Sequence, residues 1–393
     1  MAGLKQSPTE PEFVQNPYPF YASARAAGHV HLWDDYAMPA VFTHEAVSAL
    51  LKDKRFGREI PTEMRQASPA HLTDFYGVED HSMLELEAPR HTRLRSLVLR
   101  AFTSRRIKGL APEIERLSHH LIDEMPLGGC DLLPAYCAMV PVIVIARLLG
   151  VPEGMATQLL LWSNAMVGMY QAGRTHDDEV AANTAAREFS LFMRDYIADR
   201  RATPADDLIS ELIAAEENGQ RLTVDEMITT CILLLNAGHE ATVHTLGNGV
   251  KALIENNVPV SALQGDAVQN TVEEILRYDP PLHVFTRYAY EDISLFGHDF
   301  RRGDQVALML ASANRDPAAW TDPDRFDPTR PIKTNSSFGG GIHFCIGAPL
   351  ARLEMQIALR VLFERRPRLA LAGTPEYADV YHFHGLEALN VTY

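Results

Sequence analysis

Cysteine is scarce. The 393 residues hold four, Cys130, Cys137, Cys231 and Cys345, and no two form a C-x-x-C pair. This excludes a disulfide framework and argues against a structural zinc site. Positive charge is short as well, with 36 Lys+Arg against 51 Asp+Glu and a formal net charge of -15. A protein that binds nucleic acid by neutralising phosphates shows the opposite balance. Long hydrophobic runs are missing: the longest, Cys137–Ala146 and Ile232–Leu235, fall well short of the ~20 residues that span a bilayer. The opening stretch, MAGLKQSPTEPEFVQNPYPFY, has no apolar segment after a basic start, so no secretory leader is expected. Internal repeats, Gly/Ser linkers and long charge runs are absent too. Together these predict a single domain over 1–393, cytoplasmic, with neither nucleic acid nor membrane as partner.

What is present is helical periodicity. Ala111–Met125, Leu132–Leu149, Glu179–Arg200 and Asp206–Glu217 carry apolar residues at three- and four-residue spacing. The longest predicted helix is Thr223–Asn256, opened by a Thr223/Glu226 capping box. Its first half is apolar all round, the mark of a buried helix, and it would reach about 50 Å. Asn236, Ala237 and Gly238 lie near its middle, where a glycine needs a packing or functional reason. A further helix, capped by Asp266, runs to Tyr278 and is ended by Asp279-Pro280-Pro281. From His283 the chain becomes β-like in short pieces. A proline-rich meander follows (Asp316–Pro331), then a glycine-rich loop (Phe338–Gly347), a helix (Ala348–Glu364) and a C-terminal hairpin. The class is mainly α with minor β.

The loop carries the chemistry. It reads F-G-G-G-I-H-F-C-I-G, and three successive glycines let backbone approach a flat object closely. Cys345 stands where the loop meets a helix start, and helix-end N–H groups stabilise a thiolate there. A thiolate so held suits a single axial bond to haem iron. From cysteine and glycine alone, an inert buried cysteine beside a flexible loop is an equal reading. A phosphate loop is a weaker one, since G-K-[ST] is missing.

This loop resembles the F-x-x-G-x-H-x-C-x-G signature of the cytochrome P-450 haem-thiolate monooxygenases, through Phe338, Gly341, His343, Cys345 and Gly347. The resemblance implies haem b (iron protoporphyrin IX) with the Cys345 thiolate as axial ligand and Phe338 packed near the sulfur. It implies a long central helix over the haem and a small β-rich region. Glu274 and Arg277 match the family's E-x-x-R and share a helix face, although such a pair alone could be routine. Arg330, or alternatively Arg325, would be the third member of that cluster. By the same resemblance His91, Arg95, Arg287 and His343 hold the haem propionates.

Ala237-Gly238-His239-Glu240-Ala241-Thr242 resembles A-G-x-[DE]-T-[TS], the oxygen-activating segment, in which Ala237 and Gly238 would loosen the helix and leave room for O2. Glu240 matches the acid of the proton relay. The usual threonine is replaced by Ala241, which cannot donate a hydrogen bond, with Thr242 next to it. Thr242, a water or a substrate hydroxyl would substitute, or the chemistry is less coupled or peroxide-driven. Positions matching family pockets are the loop Glu63–Glu79, Met166–Gln171, Leu235, Asn236, His239, Val284, Phe285 and Leu386.

The expected reaction inserts one oxygen atom from O2 into a small hydrophobic substrate, by hydroxylation or epoxidation. No flavin or iron–sulfur segment is expected in the chain, so a ferredoxin-type donor with its reductase is implied. Six basic residues and no acidic one lie between Arg93 and Lys108. Arg100, Arg105, Arg106 and, beyond this stretch, Arg352 are the expected docking residues, through charge steering. The rival readings are a peroxide-driven haem-thiolate enzyme and a non-catalytic haem sensor.

Overall fold

The structure is a computed structural model and describes residues 3–171, 173–216, 219–381 and 383–393. Its axis is the helix Val224–Glu255. Thr223 accepts from the Glu226 amide at 3.2 Å and Glu226 accepts from the Thr223 amide at 2.9 Å, the reciprocal capping box expected from sequence. Most hydroxyls of this buried helix are satisfied within it. Thr230, Thr242 and Thr245 bond carbonyls one turn back, and Asn248 reaches the carbonyls of Asp279 and His384. Glycines set how closely its neighbours pack: a Cβ on Gly247 would stand 2.8 Å from Leu133, and one on Gly249 3.1 Å from Ile275.

Around this axis pack the helices Met139–Leu149, Ala156–Val167, His176–Ala202, Ala267–Tyr278 and Ala348–Arg365. Their apolar faces form one large core. The β-rich part has a six-stranded sheet with a smaller core on each face: Val41, Val306 and Leu308 point into one, and Ala40, Ala307 and Met309 into the other. In order its strands are Gly3–Leu4, Val30–Trp33, Met38–Val41, Gln305–Met309, Val284–Ala289 and Phe56–Gly57. Two of the six come from the predicted β-like region; the N-terminal four were not foreseen. No helix among the described residues is long and apolar enough to cross a membrane.

Several expectations are corrected. Leu132–Leu149 is not one helix. Pro134 sits in a π-turn, Leu133–Cys137, where the Ala138 amide bonds the Leu133 carbonyl, and an α-helix starts at Met139. The segment from Asp206 contracts to Leu208–Ala214, capped by Asp207; Glu217 lies outside the described residues. The loop from Glu63 to Glu79 contains two 3-10 turns and the helix Thr73–Glu79. The long helix is not loosened at Ala237–Gly238 but runs through without a break. The C-terminal segment is no simple hairpin: Asn390–Thr392 pairs with Ala370–Leu371 and Gly129–Asp131, and Leu386 bridges to Tyr377. His382, within that segment, lies outside the described residues.

Candidate functional site

The glycine loop is built by backbone geometry. Gly339 and Gly341 adopt φ +68 and +66, where a side chain is strained. A Cβ on Gly341 would also collide with the Leu51 carbonyl. The Cys345 amide donates to the Phe338 carbonyl at 3.0 Å and closes the loop. Of the four cysteines only Cys345 is exposed, although it leads directly into a core helix. Burial of its surroundings pushes the thiol up. The N–H groups of Gly347 and Ala348, with Arg95 and Arg352, pull it back toward thiolate. Cys231 has no comparable donors and burial pushes it up to about 12. Arg352 stacks over Phe338 at 4.5 Å and pairs with Glu273.

Beside the loop lies a buried cationic cluster. Arg95 donates to the Phe344 carbonyl at 2.7 Å. The rings of His91 and His343 are 4.4 Å apart, and His343 bonds Glu87 at 2.8 Å. Arg58 and Arg287 both stand over Phe285, at 5.6 and 5.9 Å. Burial, and then the repulsion of Arg58, lowers Arg287 to about 10. Burial, with His343 and Arg95, lowers His91 to about 4. Nδ1 of His91 and Nε of Arg58 are buried without a partner. Buried donors left unmatched are costly, and this set suits carboxylates brought by a ligand. The residues present therefore fit a haem: a thiol with converging N–H donors, a glycine cradle, and buried to half-buried donors, His91, Arg58, Arg95 and Arg287, for two propionates. Arg58 and Glu87 were missed from sequence, where lone charged residues carry no signal.

On the central helix, Ala237 is exposed and Gly238 and Ala241 are half-buried, while Leu235, His239 and Thr242 are buried. Open space therefore borders this small-residue face. Glu240 lies 3.1 Å from Nε2 of His239 and 3.3 Å from Nε2 of His244. Burial works against its charge, but the two histidines more than offset this and hold it well below the usual carboxylate range. His244 was not foreseen from sequence. Leu235, His239 and Leu386 are packed away: each is at most 3% exposed, and His239 bonds Ser163 and the Leu235 carbonyl. Asn236, Val284 and Phe285 are half-buried, and Asn236 touches the Met166 sulfur at 3.8 Å.

Behind the loop, Glu274 receives two bonds from Arg277, both at 2.8 Å, and one from Arg330 at 3.2 Å. Arg325 contributes only its carbonyl, to Arg277 and Arg330. Arg277 also binds the carbonyls of Asn314 and Pro323, so a buried ion pair holds the meander to the helix.

A cysteine aimed from a glycine cradle, beside the buried His91 and Arg287 and the half-buried Arg58 and Arg95, defines the class as haem-thiolate. The comparisons agree. The profile described as Cytochrome P450 matches residues 266–365. The chain is 37% identical to the polyketide biosynthesis cytochrome P450 PksS of Bacillus subtilis (strain 168), over 100% of this chain and 99% of that one. It is 38% identical to the cytochrome P450 monooxygenase PikC of Streptomyces venezuelae, over 97% and 92%. The crystal structure of P450BioI in complex with hexadec-9Z-enoic acid ligated acyl carrier protein superposes with a TM-score of 0.91 at 36% identity, covering 97% and 100%. The chain belongs to the cytochrome P450 family and is a monooxygenase, an oxidoreductase whose cofactor is haem with a cysteine thiolate ligand.

Proposed function

We propose that Cys345 is the axial thiolate and that this enzyme inserts one atom of O2 into a C–H or C=C bond of a mainly apolar organic substrate. The second oxygen leaves as water, which requires two electrons and two protons. Haem held by a thiolate supplies the oxidising centre. His91, Arg95, Arg287 and His343, joined by Arg58, hold its carboxylates. The Ala237–Ala241 face presents small apolar groups to the reaction space and keeps it free of competing donors. Glu240, ionised between His239 and His244, moves protons toward that face. Thr242 does not, because its hydroxyl is engaged within the helix.

The observation that carries this reading is Cys345, an exposed residue whose thiol is faced by the backbone N–H groups of Gly347 and Ala348. The electrons come from a separate ferredoxin-type donor and its reductase in the cytoplasm. Arg100, Arg105 and Lys108 are exposed on the successive helices Arg90–Ala101 and Ser104–Gly109, a basic stretch that suits an acidic donor. Arg106 and Arg352 are tied to Asp206 and Glu273 and shape the patch rather than lead it. Replacing Arg100 and Arg105 by Glu should slow reduction most at low salt; a salt-independent rate would exclude this docking face.

Ala241 supports one alternative, peroxide-driven turnover, because it leaves the helix without the usual hydroxyl. Turnover with ferredoxin, reductase and reduced nicotinamide, set against turnover with peroxide alone, separates the two. Product formed only with peroxide would overturn the monooxygenase assignment of the electron source.

A further inference from the structure

Far along the chain from the haem loop, three side chains from two segments converge at the surface. His71 belongs to the 3-10 turn Ala70–Leu72, and His176 and Glu179 to the first turn of the helix His176–Ala202. Nε2 of His71 lies 2.7 Å from Oε2 of Glu179, and Nδ1 of His176 lies 3.9 Å from the same oxygen. The two imidazole rings are 4.8 Å apart, and one ligand atom from each residue falls within 4.8 Å of the others. We propose that His71, His176 and Glu179 form a binding site for a zinc-class divalent ion that staples the Ala70–Leu72 turn to this helix.

Two imidazoles, one carboxylate and an open fourth position are a donor set for zinc and late first-row metals rather than for magnesium or calcium. Tetrahedral bonds of ~2.0–2.1 Å set ligand atoms about 3.3 Å apart, and the observed 2.7 and 3.9 Å straddle that value. Both histidines are exposed, so small rotations reach it at low cost and metal has a direct path in. The partners are already positioned without metal. Asn183 accepts from the amides of Asp74 and Phe75 at 2.8 and 3.0 Å and so docks the two segments. The Thr175/Asp178 capping box fixes the helix turn. Arg174 binds the other oxygen, Oε1, at 3.1 Å and leaves Oε2 to the histidines. A cation at a helix N-terminus opposes the helix dipole, and Asp177 and Asp178 offset this.

The test uses tag-free, haem-loaded protein stripped with chelator and titrated with Zn2+ by calorimetry. One-site binding is expected, weakened more than about tenfold by His71→Ala and by His176→Ala. Amide exchange over residues 70–75 should slow with Zn2+ in the parent and not in the double variant. Metal-free melting curves establish that the variants fold. Absence of one-site binding overturns the proposal. So does unchanged affinity in the double variant, which would place the ion elsewhere, as on the buried Asp279, His283 and His384.

Discussion

Thr242 donates its hydroxyl to the carbonyl oxygen of Gly238, one turn back on the same helix, at 2.9 Å. Thr242 is 4% exposed, whereas Ala241, at the position of the family's threonine, is half-buried on the open side. Thr242→Val should therefore leave the ratio of product formed to reductant consumed within about twofold. Ala241→Thr should shift that ratio clearly, because it introduces a hydroxyl where protons are delivered. The opposite pattern would make Thr242 the functional donor.

Glu240 leads to a second prediction. Glu240→Gln keeps the shape but removes the charge that His239 and His244 surround. The rate of product formation should fall at least about 100-fold, the usual contribution of a positioned acid–base group. Because the two histidines hold Glu240 ionised, the parent's pH–rate profile should show no carboxylate inflection above about pH 4.5. A raised inflection that disappears in the variant would contradict this electrostatic picture.

The buried Glu274 holds two arginines at once, so its loss strands both. Glu274→Ala should cost about 3–5 kcal/mol and lower the yield of haem-loaded protein. Arg325→Ala, which leaves the carbonyl in place, should cost much less. Denaturant melts of the two variants compare these costs directly.

Glu354, on the helix that follows the ligand loop, is 2% exposed, and burial raises it to about 8. A carboxyl raised on folding favours the folded state below its unfolded value near 4.5, and that stability is lost as pH rises toward 8. Glu354→Gln should therefore gain on the parent by roughly 2 kcal/mol between pH 6 and pH 8. A constant difference in melting temperature across that range would show that Glu354 does not titrate there.

What was legible in the sequence was local. The Cys345 loop, the Glu274/Arg277 pair and the Thr223/Glu226 box each lie within ten residues and depend on backbone geometry or helix spacing. What was not legible depends on long-range placement. Gly3 pairs with Leu32, Ala40 with Ala307 and Phe56 with Ala289, in strands of two to six residues that are too short for a clear period. Arg58 and Glu87 join the cationic cluster through contacts that no spacing announces. The burial of His239 and Leu235 was not legible either, because the rotation of a long helix is set by what packs on it, here Ser163 and the main core.

The central claim is that Cys345 presents a thiolate to haem iron. The direct measurement is the absorbance spectrum of the reduced, CO-treated protein, parent beside Cys345→Ala. The parent should show the red-shifted Soret band of thiolate ligation, and the variant should lose it. The same band in the variant, or its absence from the haem-loaded parent, would contradict the account.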